Sequence, residues 1–226
     1  MPVNIAIDGP SGSGKSTAAK GLAKALGYVY IDTGALYRAI GLFALRSGTD
    51  PKSAADVVPL LSGINLELRH GDNGQRVLLN GEDVSGLIRT PEVSMAASAV
   101  SALPEVRRFL LGMQREIAAR SNCVMDGRDI GTVILPDAQV KIFLTASAED
   151  RARRRTDELC EKGVDVRYED VLREMTERDR NDSSRDIAPL RPAGDAVLFD
   201  NSGMTPGETL SALKKIIKDR LGDEVL

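Results

Sequence analysis

The sequence predicts an α/β fold: a doubly wound parallel sheet of five strands, interrupted by a small antiparallel sheet with helices. Three observations predict it. Apolar runs of strand length at 3–8, 28–31, 123–126, 140–144 and 196–200 alternate with longer segments of helical period, as in strands joined by crossover helices. Between the second and third runs the period drops to two: Ile64, Leu66 and Leu68 alternate with Asn65, Glu67 and Arg69, as on a half-buried antiparallel strand. The 226 residues are 42% hydrophobic but only 4% aromatic, with no Trp, which supplies an aliphatic core for one full-sized domain plus an insertion.

The first strand runs into Gly9-Pro10-Ser11-Gly12-Ser13-Gly14-Lys15-Ser16. Ala18, Ala19, Leu22, Ala23 and Leu26 then recur at helical spacing up to Gly27, a residue suited to end a helix. The second strand gives way at Asp32-Thr33-Gly34 to a helix over 35–46, whose Leu36, Ile40, Phe43 and Ala44 share a face and which Gly48 and Pro51 close. A short helix fits 54–61. In the insertion, taken as 63–120, Gly71-Asp72-Asn73-Gly74 is a turn and 76–79 a returning strand. Asn80-Gly81 signals a hairpin into a third short strand near Val84, and helices fit 91–100 and 104–119. The core, taken as 1–62 and 121–226, resumes with the remaining strands, an arginine-dense helix over 148–162 and another over 166–180. A polar stretch follows at 181–186, and Pro206 suits the first position of a closing helix over 206–221.

The spacing G-x-x-x-x-G-K-S from Gly9 to Ser16, set between a strand and a helix, is that of a phosphate-cradling loop. Glycines let successive N–H groups converge on one concavity, and the following helix adds its free donors and positive dipole end. The candidate contacts are Gly9, Pro10, Ser11, Gly12, Ser13, Gly14, Lys15, Ser16 and Thr17. Lys15 supplies a mobile charge for the outer phosphates, and the Ser16 hydroxyl a ligand for Mg²⁺. The ligand this pattern implies is a nucleoside triphosphate.

Other chemistry is excluded by what is scarce. A net charge of −3 argues against a nucleic-acid polymer as partner. Cys123 and Cys160 show no metal-type spacing and read as reduced thiols of a cytoplasmic protein. The one histidine, His70, lies in a polar stretch and reads as a surface residue, leaving no Ser–His–Asp or histidine–metal site. No cationic leader precedes the first strand and no apolar run is long enough to cross a bilayer, so a soluble protein without a membrane partner is expected; a monomer is expected as well. A guanine-reading Asn-Lys-x-Asp is absent.

Arginine is abundant outside the loop: Arg38, Arg107, Arg128, the group Arg151, Arg153, Arg154 and Arg155, then Arg178, Arg180 and Arg185. Such a set suits an enzyme that brings two phosphate-bearing molecules together, because the guanidinium fork holds phosphate oxygens bidentately. The run at 151–155 can equally be a solvated helix face paired with Glu149, Asp150, Asp157, Glu158 and Glu161. Asp126-Gly127-Arg128-Asp129 ends a core strand on the side where open parallel sheets bind ligands. A kinase for a small acceptor, whether a nucleoside monophosphate or shikimate, and a nucleotide-dependent switch protein both carry such a loop. Acceptor-stimulated ADP release separates them.

Four motifs stand in order: Ile7-Asp8-Gly9-Pro10-Ser11-Gly12-Ser13-Gly14-Lys15-Ser16-Thr17, Asp32-Thr33-Gly34-Ala35-Leu36-Tyr37-Arg38, Asp126-Gly127-Arg128-Asp129-Ile130-Gly131-Thr132-Val133 and Ala188-Pro189-Leu190. Through them the chain resembles the bacterial cytidylate kinases over nearly its whole length. Thr33, where some of these have Ser, keeps the hydroxyl, and Leu36 replaces another aliphatic residue. The resemblance implies the P-loop nucleoside monophosphate kinase fold, with ATP and Mg²⁺ as donor and cofactor and CMP or dCMP as acceptor. It implies that 63–120, near Gly81-Glu82-Asp83-Val84-Ser85, binds the monophosphate and that about 148–185 forms a lid. It further implies that Ser98, Arg107 and Asp129 read cytosine, that Asp182 bonds the ribose, and that Arg38, Arg128 and Arg185 clamp the acceptor phosphate with Thr33 and Arg178 nearby. Lys15, Arg128, Arg185 and, from the lid, Arg154 are then the catalytic charges, and Asp126 is placed to hold Mg²⁺ through water.

Overall fold

The computed structural model describes residues 2–71, 74–161 and 163–222. Asp72 and Asn73 of the expected turn, and Lys162 at the expected end of the arginine-dense helix, lie outside these. In chain order the elements are β1 (Asn4–Asp8), α1 (Lys15–Leu26), β2 (Val29–Asp32), α2 (Thr33–Arg46), α3 (Ala54–Leu60), β3 (Leu66–Gly71), β4 (Gly74–Leu79) and β5 (Glu82–Asp83). They continue with α4 (Pro91–Val100), α5 (Pro104–Arg120), β6 (Cys123–Gly127), β7 (Val140–Thr145), α6 (Ala148–Glu161), α7 (Tyr168–Ser183), β8 (Val197–Asp200) and α8 (Pro206–Leu221).

Five of the strands form one parallel sheet in the order β2-β6-β1-β7-β8. Its register places Asp8 beside Gly127 and Asp32 beside Asp126, so the carboxyl ends of the three strands nearest the loop lie level. The chain reverses direction across β1, and the crevice this leaves at the strand ends is where such sheets take ligands. One face of the sheet packs on α1 and α8 through Ile5, Ile7, Leu22, Ile142, Leu144, Leu213 and Ile217, all nearly inaccessible. The other face buries Ala6, Ile31, Met125, Ile130 and Ile134. Fully burying such side chains contributes about 1.5–3 kcal/mol each, so this aliphatic sandwich holds the strand ends in place.

The second sheet is antiparallel, β3-β4-β5, and packs with α2 and α4 around Leu36, Ile40, Leu66, Leu79, Val84, Ile88 and Val100. Helices α2 and α4 touch backbone to backbone, because a Cβ on Gly41 would stand 2.9 Å from the Ala97 nitrogen. The β3–β4 pair also completes the open edge of β2. Gln75 accepts from the Asp32 N–H at 2.9 Å and donates to the Asp32 carbonyl at 3.3 Å, while His70 Nε2 lies 2.9 Å from the Tyr30 carbonyl. The lone histidine is exposed, as expected, yet tied to the sheet.

Four details differ from the sequence reading. Helix α2 begins at Thr33 rather than after Gly34, because the Asp32 side chain caps it by accepting from Ala35 N–H. The third insertion strand is Glu82–Asp83, one step before Val84, whose buried side chain joins the core instead. Residues Ile130–Ile134 form a five-residue π-type turn that no periodicity signals. Helix α7 runs to Ser183 rather than Arg180, so Asp182 sits in a helix and not in a polar stretch. An acidic residue in a last helical turn opposes the dipole; here two arginines neutralise it.

Candidate active site

The loop after β1 is shaped by its backbone. Gly9 has φ +150, and a Cβ there would fall 1.9 Å from the Leu144 carbonyl oxygen of β7, so only glycine lets the chain leave the sheet here. Asn201, 2% exposed, donates from Nδ2 to the Ser13 carbonyl at 3.1 Å and so supports the loop from below. Lys15 opens α1 and is itself buried, its Nζ turned back to the Pro10 carbonyl at 2.5 Å and the Ser13 hydroxyl at 3.4 Å. Burial, and next the Arg128 charge, hold this ammonium well below the usual lysine range.

A single cavity of about 230 Å³ joins this loop to the rest of the site. Of the residues singled out from sequence, Ser11, Gly12, Lys15, Ser16, Thr33, Arg38, Ser98, Arg107, Arg128, Asp129, Arg178, Asp182 and Arg185 all line it. Gly9, Pro10, Ser13, Gly14 and Thr17 do not; they form the loop's frame. Nor does Arg154. Its guanidinium donates to Asn201, at 3.2 Å to Oδ1 and 2.8 Å to the carbonyl, and helix α6 presents Arg155 to the cavity. Arg154 lies instead against the loop, where a Cβ on Gly14 would stand 3.9 Å from its Nη1, while Arg155 lines the cavity and donates to Glu158 at 2.8 Å. Asp32, Tyr37 and Asp126 also line the cavity.

The side chains fall into three groups. Ser16 Oγ donates to Asp126 Oδ2 at 2.8 Å, Tyr30 O–H donates to Oδ1 at 2.9 Å, and Thr33 Oγ1 donates to the Asp126 carbonyl at 2.8 Å. Burial, then the neighbouring Asp32, push the Asp126 carboxyl up to about 6. At the far end Arg107 is bonded to Asp129 and, at 3.0 Å, to the Ser101 carbonyl, with its guanidinium 5.7 Å from the Tyr37 ring centre. Between them Asp182 accepts from Arg128 at 3.1 Å and from Arg185. Although burial works against the charge, Arg128, Arg185 and Arg178 together hold this carboxyl below its ordinary value. Arg178 is pulled down to about 10 by burial and by Arg128, and its buried Nε has no partner among the described residues.

The turn that carries Arg128 and Asp129 is anchored by a residue the sequence reading passed over. Asp8, at the end of β1, accepts from the Ile130 N–H and the Gly131 N–H, each at 2.7 Å. Burial, outweighing these two bonds, raises its carboxyl to about 7.

The geometry thus joins an anion-binding loop, an arginine cluster with too few carboxylates, and a fixed carboxylate–guanidinium pair in one crevice. Comparison with known proteins gives that combination a family. The Cytidylate kinase family model matches residues 5–219. The chain belongs to the cytidylate kinase family. A cytidylate kinase of Carboxydothermus hydrogenoformans is 52% identical over 95% of this chain and 97% of its own length. One from Caldicellulosiruptor saccharolyticus is 49% identical over 99% of both, and one from Mycobacterium avium 49% over 96% of both. An uncharacterized protein from Eubacterium ventriosum, solved as a crystal structure, shares the fold with a TM-score of 0.56 at 16% identity, over 97% of this chain and all of its own. Among the described residues no helix is long and apolar enough to cross a membrane.

Proposed function

We propose that the protein transfers the γ-phosphoryl group of ATP to the 5′-phosphate of CMP or dCMP, giving ADP and CDP or dCDP. Family membership and the shared cavity support this reading. The observation that carries it is that Lys15 of the loop and the Arg107–Asp129 pair line one crevice, with Arg38, Arg128, Arg178 and Arg185 also lining it. In this reading 63–120 is the acceptor-binding region and about 148–185 the lid.

An acceptor phosphate oxygen attacks the γ-phosphorus in line, the bond to the β-bridging oxygen breaks, and its electron pair leaves with ADP. The attacking oxygen is already an anion, so the chain needs no strong base. Its residues position two polyanions and offset their repulsion. Lys15 and the loop N–H groups take the donor phosphates; Arg38, Arg128 and Arg185 take the acceptor phosphate, with Arg178 and Arg155 facing the same space. Ser16 and Asp126 offer adjacent hard oxygen donors at the cavity wall, which fits Mg²⁺, a cation that takes few protein ligands and keeps water and phosphate oxygens. Bound there, Mg²⁺ would neutralise charge on the donor phosphates.

Cytosine presents an N4 amino donor, and an Asp129 carboxylate beside an Arg107 guanidinium is an acceptor next to donors. Uracil would set a carbonyl against that carboxylate, leaving buried polar groups unpaired. Ser98 lines the same end. Asp182 retains lone pairs for ribose hydroxyls beyond those given to its arginines. The test is a coupled ADP-release assay over CMP, dCMP, UMP, AMP and shikimate with Mg²⁺-ATP. CMP and dCMP should be preferred, and Asp129→Ala should lower the CMP-to-UMP ratio of kcat/KM by about 10-fold or more. Equal rates with all acceptors, or none above basal hydrolysis, would remove the reading.

A further inference from the structure

Tyr30 does not line the cavity, and the loop motif does not involve it, yet its hydroxyl reaches the carboxylate beside Ser16. Asp126 is 4% exposed, and each of its carboxylate oxygens has one hydroxyl donor, Ser16 Oγ on Oδ2 at 2.8 Å and Tyr30 O–H on Oδ1 at 2.9 Å. A carboxylate held at one oxygen can turn about its last bond. Held at both, it cannot, and the Ser16 hydroxyl then has a fixed acceptor for its proton and a lone pair directed away from it. The main chain of Asp126 is held as well, by Thr33 Oγ1 on its carbonyl and by β-pairing to Ile7 and Asp32.

The support for Tyr30 is equally firm. Its main chain stands opposite Val124 in the sheet, and His70 Nε2 lies 2.9 Å from its carbonyl. Its ring packs against the aliphatic core under α1, and Lys20 Nζ lies 5.5 Å from the ring centre. The ring therefore serves packing and the hydroxyl serves Asp126, two roles that Tyr30→Phe separates.

We infer that Tyr30 is a positioning residue for the divalent cation: its hydroxyl fixes the Asp126 carboxylate, and through it Ser16, in the orientation that receives a metal–nucleotide complex. The inference rests on the phosphoryl-transfer reading above. Partners that orient a metal-binding group typically matter by about 10- to 100-fold in metal affinity. Removing the hydroxyl leaves Asp126 Oδ1 buried without a donor and lets the carboxylate rotate.

The test reads Mn²⁺ binding by electron paramagnetic resonance, at saturating ADP, in wild type, Tyr30→Phe, Asp126→Asn and the double variant. In Tyr30→Phe the Mn²⁺ affinity of the ADP complex should fall about 10-fold or more. Metal-free ADP affinity and the KM for CMP should move less than about two-fold, a split that general loosening of the sheet would not give. Because Tyr30 acts through Asp126, the double variant should bind Mn²⁺ no more weakly than Asp126→Asn alone. Wild-type affinity in Tyr30→Phe, or losses that add in the double variant, overturns the inference and leaves the phosphoryl-transfer reading standing. A wild-type ADP complex that binds Mn²⁺ no better than free ADP does overturns the metal part of that reading, and the inference with it.

Discussion

The two ends of the crevice are built in opposite ways. The end we assign to the donor is one stretch of eight residues, Gly9 to Ser16, whose shape comes from glycine. The end we assign to the acceptor draws one to three side chains each from α2, α4, α5, the turn after β6, and α7 with the residues just beyond it, and its shape comes from ion pairs between segments far apart in the chain. Backbone geometry is local, so the first end takes its shape from adjacent residues and is then propped from outside by Asn201. The second exists only once the insertion, the core and α7 have packed, and its arginines are held close despite mutual repulsion.

Substitution at each end should expose that difference. Lys15→Ala removes the one mobile charge of the donor end, and we expect kcat to fall by about 10³-fold or more while the KM for CMP moves little. Arg185→Ala should act on the other substrate, lowering kcat/KM for CMP by about 10²-fold with ATP affinity preserved, because Asp182 keeps Arg128. Steady-state kinetics with each substrate varied in turn would break the comparison if both variants moved the same KM.

Asp8 bridges the two ends, and pH reports on it. Its carboxyl titrates near 7 when folded and near 3.8 when not, so the native state holds the extra proton between those values. Stability should therefore fall as pH rises through that window, by roughly 2–3 kcal/mol between pH 5 and 8 from this group. Urea unfolding at the two pH values should show this difference shrink by that amount in Asp8→Asn. That variant should also weaken the turn at both pH values, since an amide N–H then faces a backbone N–H. A smaller effect belongs to the insertion. Gln75→Ala gives up two hydrogen bonds to the β2 edge and should cost about 1 kcal/mol of stability, read as a lower denaturant midpoint, with kcat changed less than about two-fold.

The same division explains what could be read in advance. The strand runs, the loop and the hairpin were legible because period and turn chemistry are written in adjacent residues. The arginines were countable from sequence, but only the resemblance gave them roles, since nothing local says which side chains meet. Which of Arg154 and Arg155 lines the cavity shows the limit. On α6 the inward stripe is marked by Ala152 and Leu159, both buried, and Arg155 lies between them at helical spacing. Arg154 sits to one side and meets Asn201. Two apolar residues in a strongly charged helix were the available signal. For Asp8 there was none: its N–H partners are 122 and 123 residues away. Asp182 was placed outside its helix because the two cations that stabilise it there are invisible to any window of sequence.

The ammonium group of Lys15, folded against the Pro10 carbonyl, sets a threshold on what can occupy the loop. A newcomer competes with an internal acceptor already at contact distance. A single weak anion gains little by that exchange, whereas a chain of linked phosphates can draw the lysine outward and accept from the loop N–H groups at the same time. That contact favours a ligand of high charge before any base is inspected.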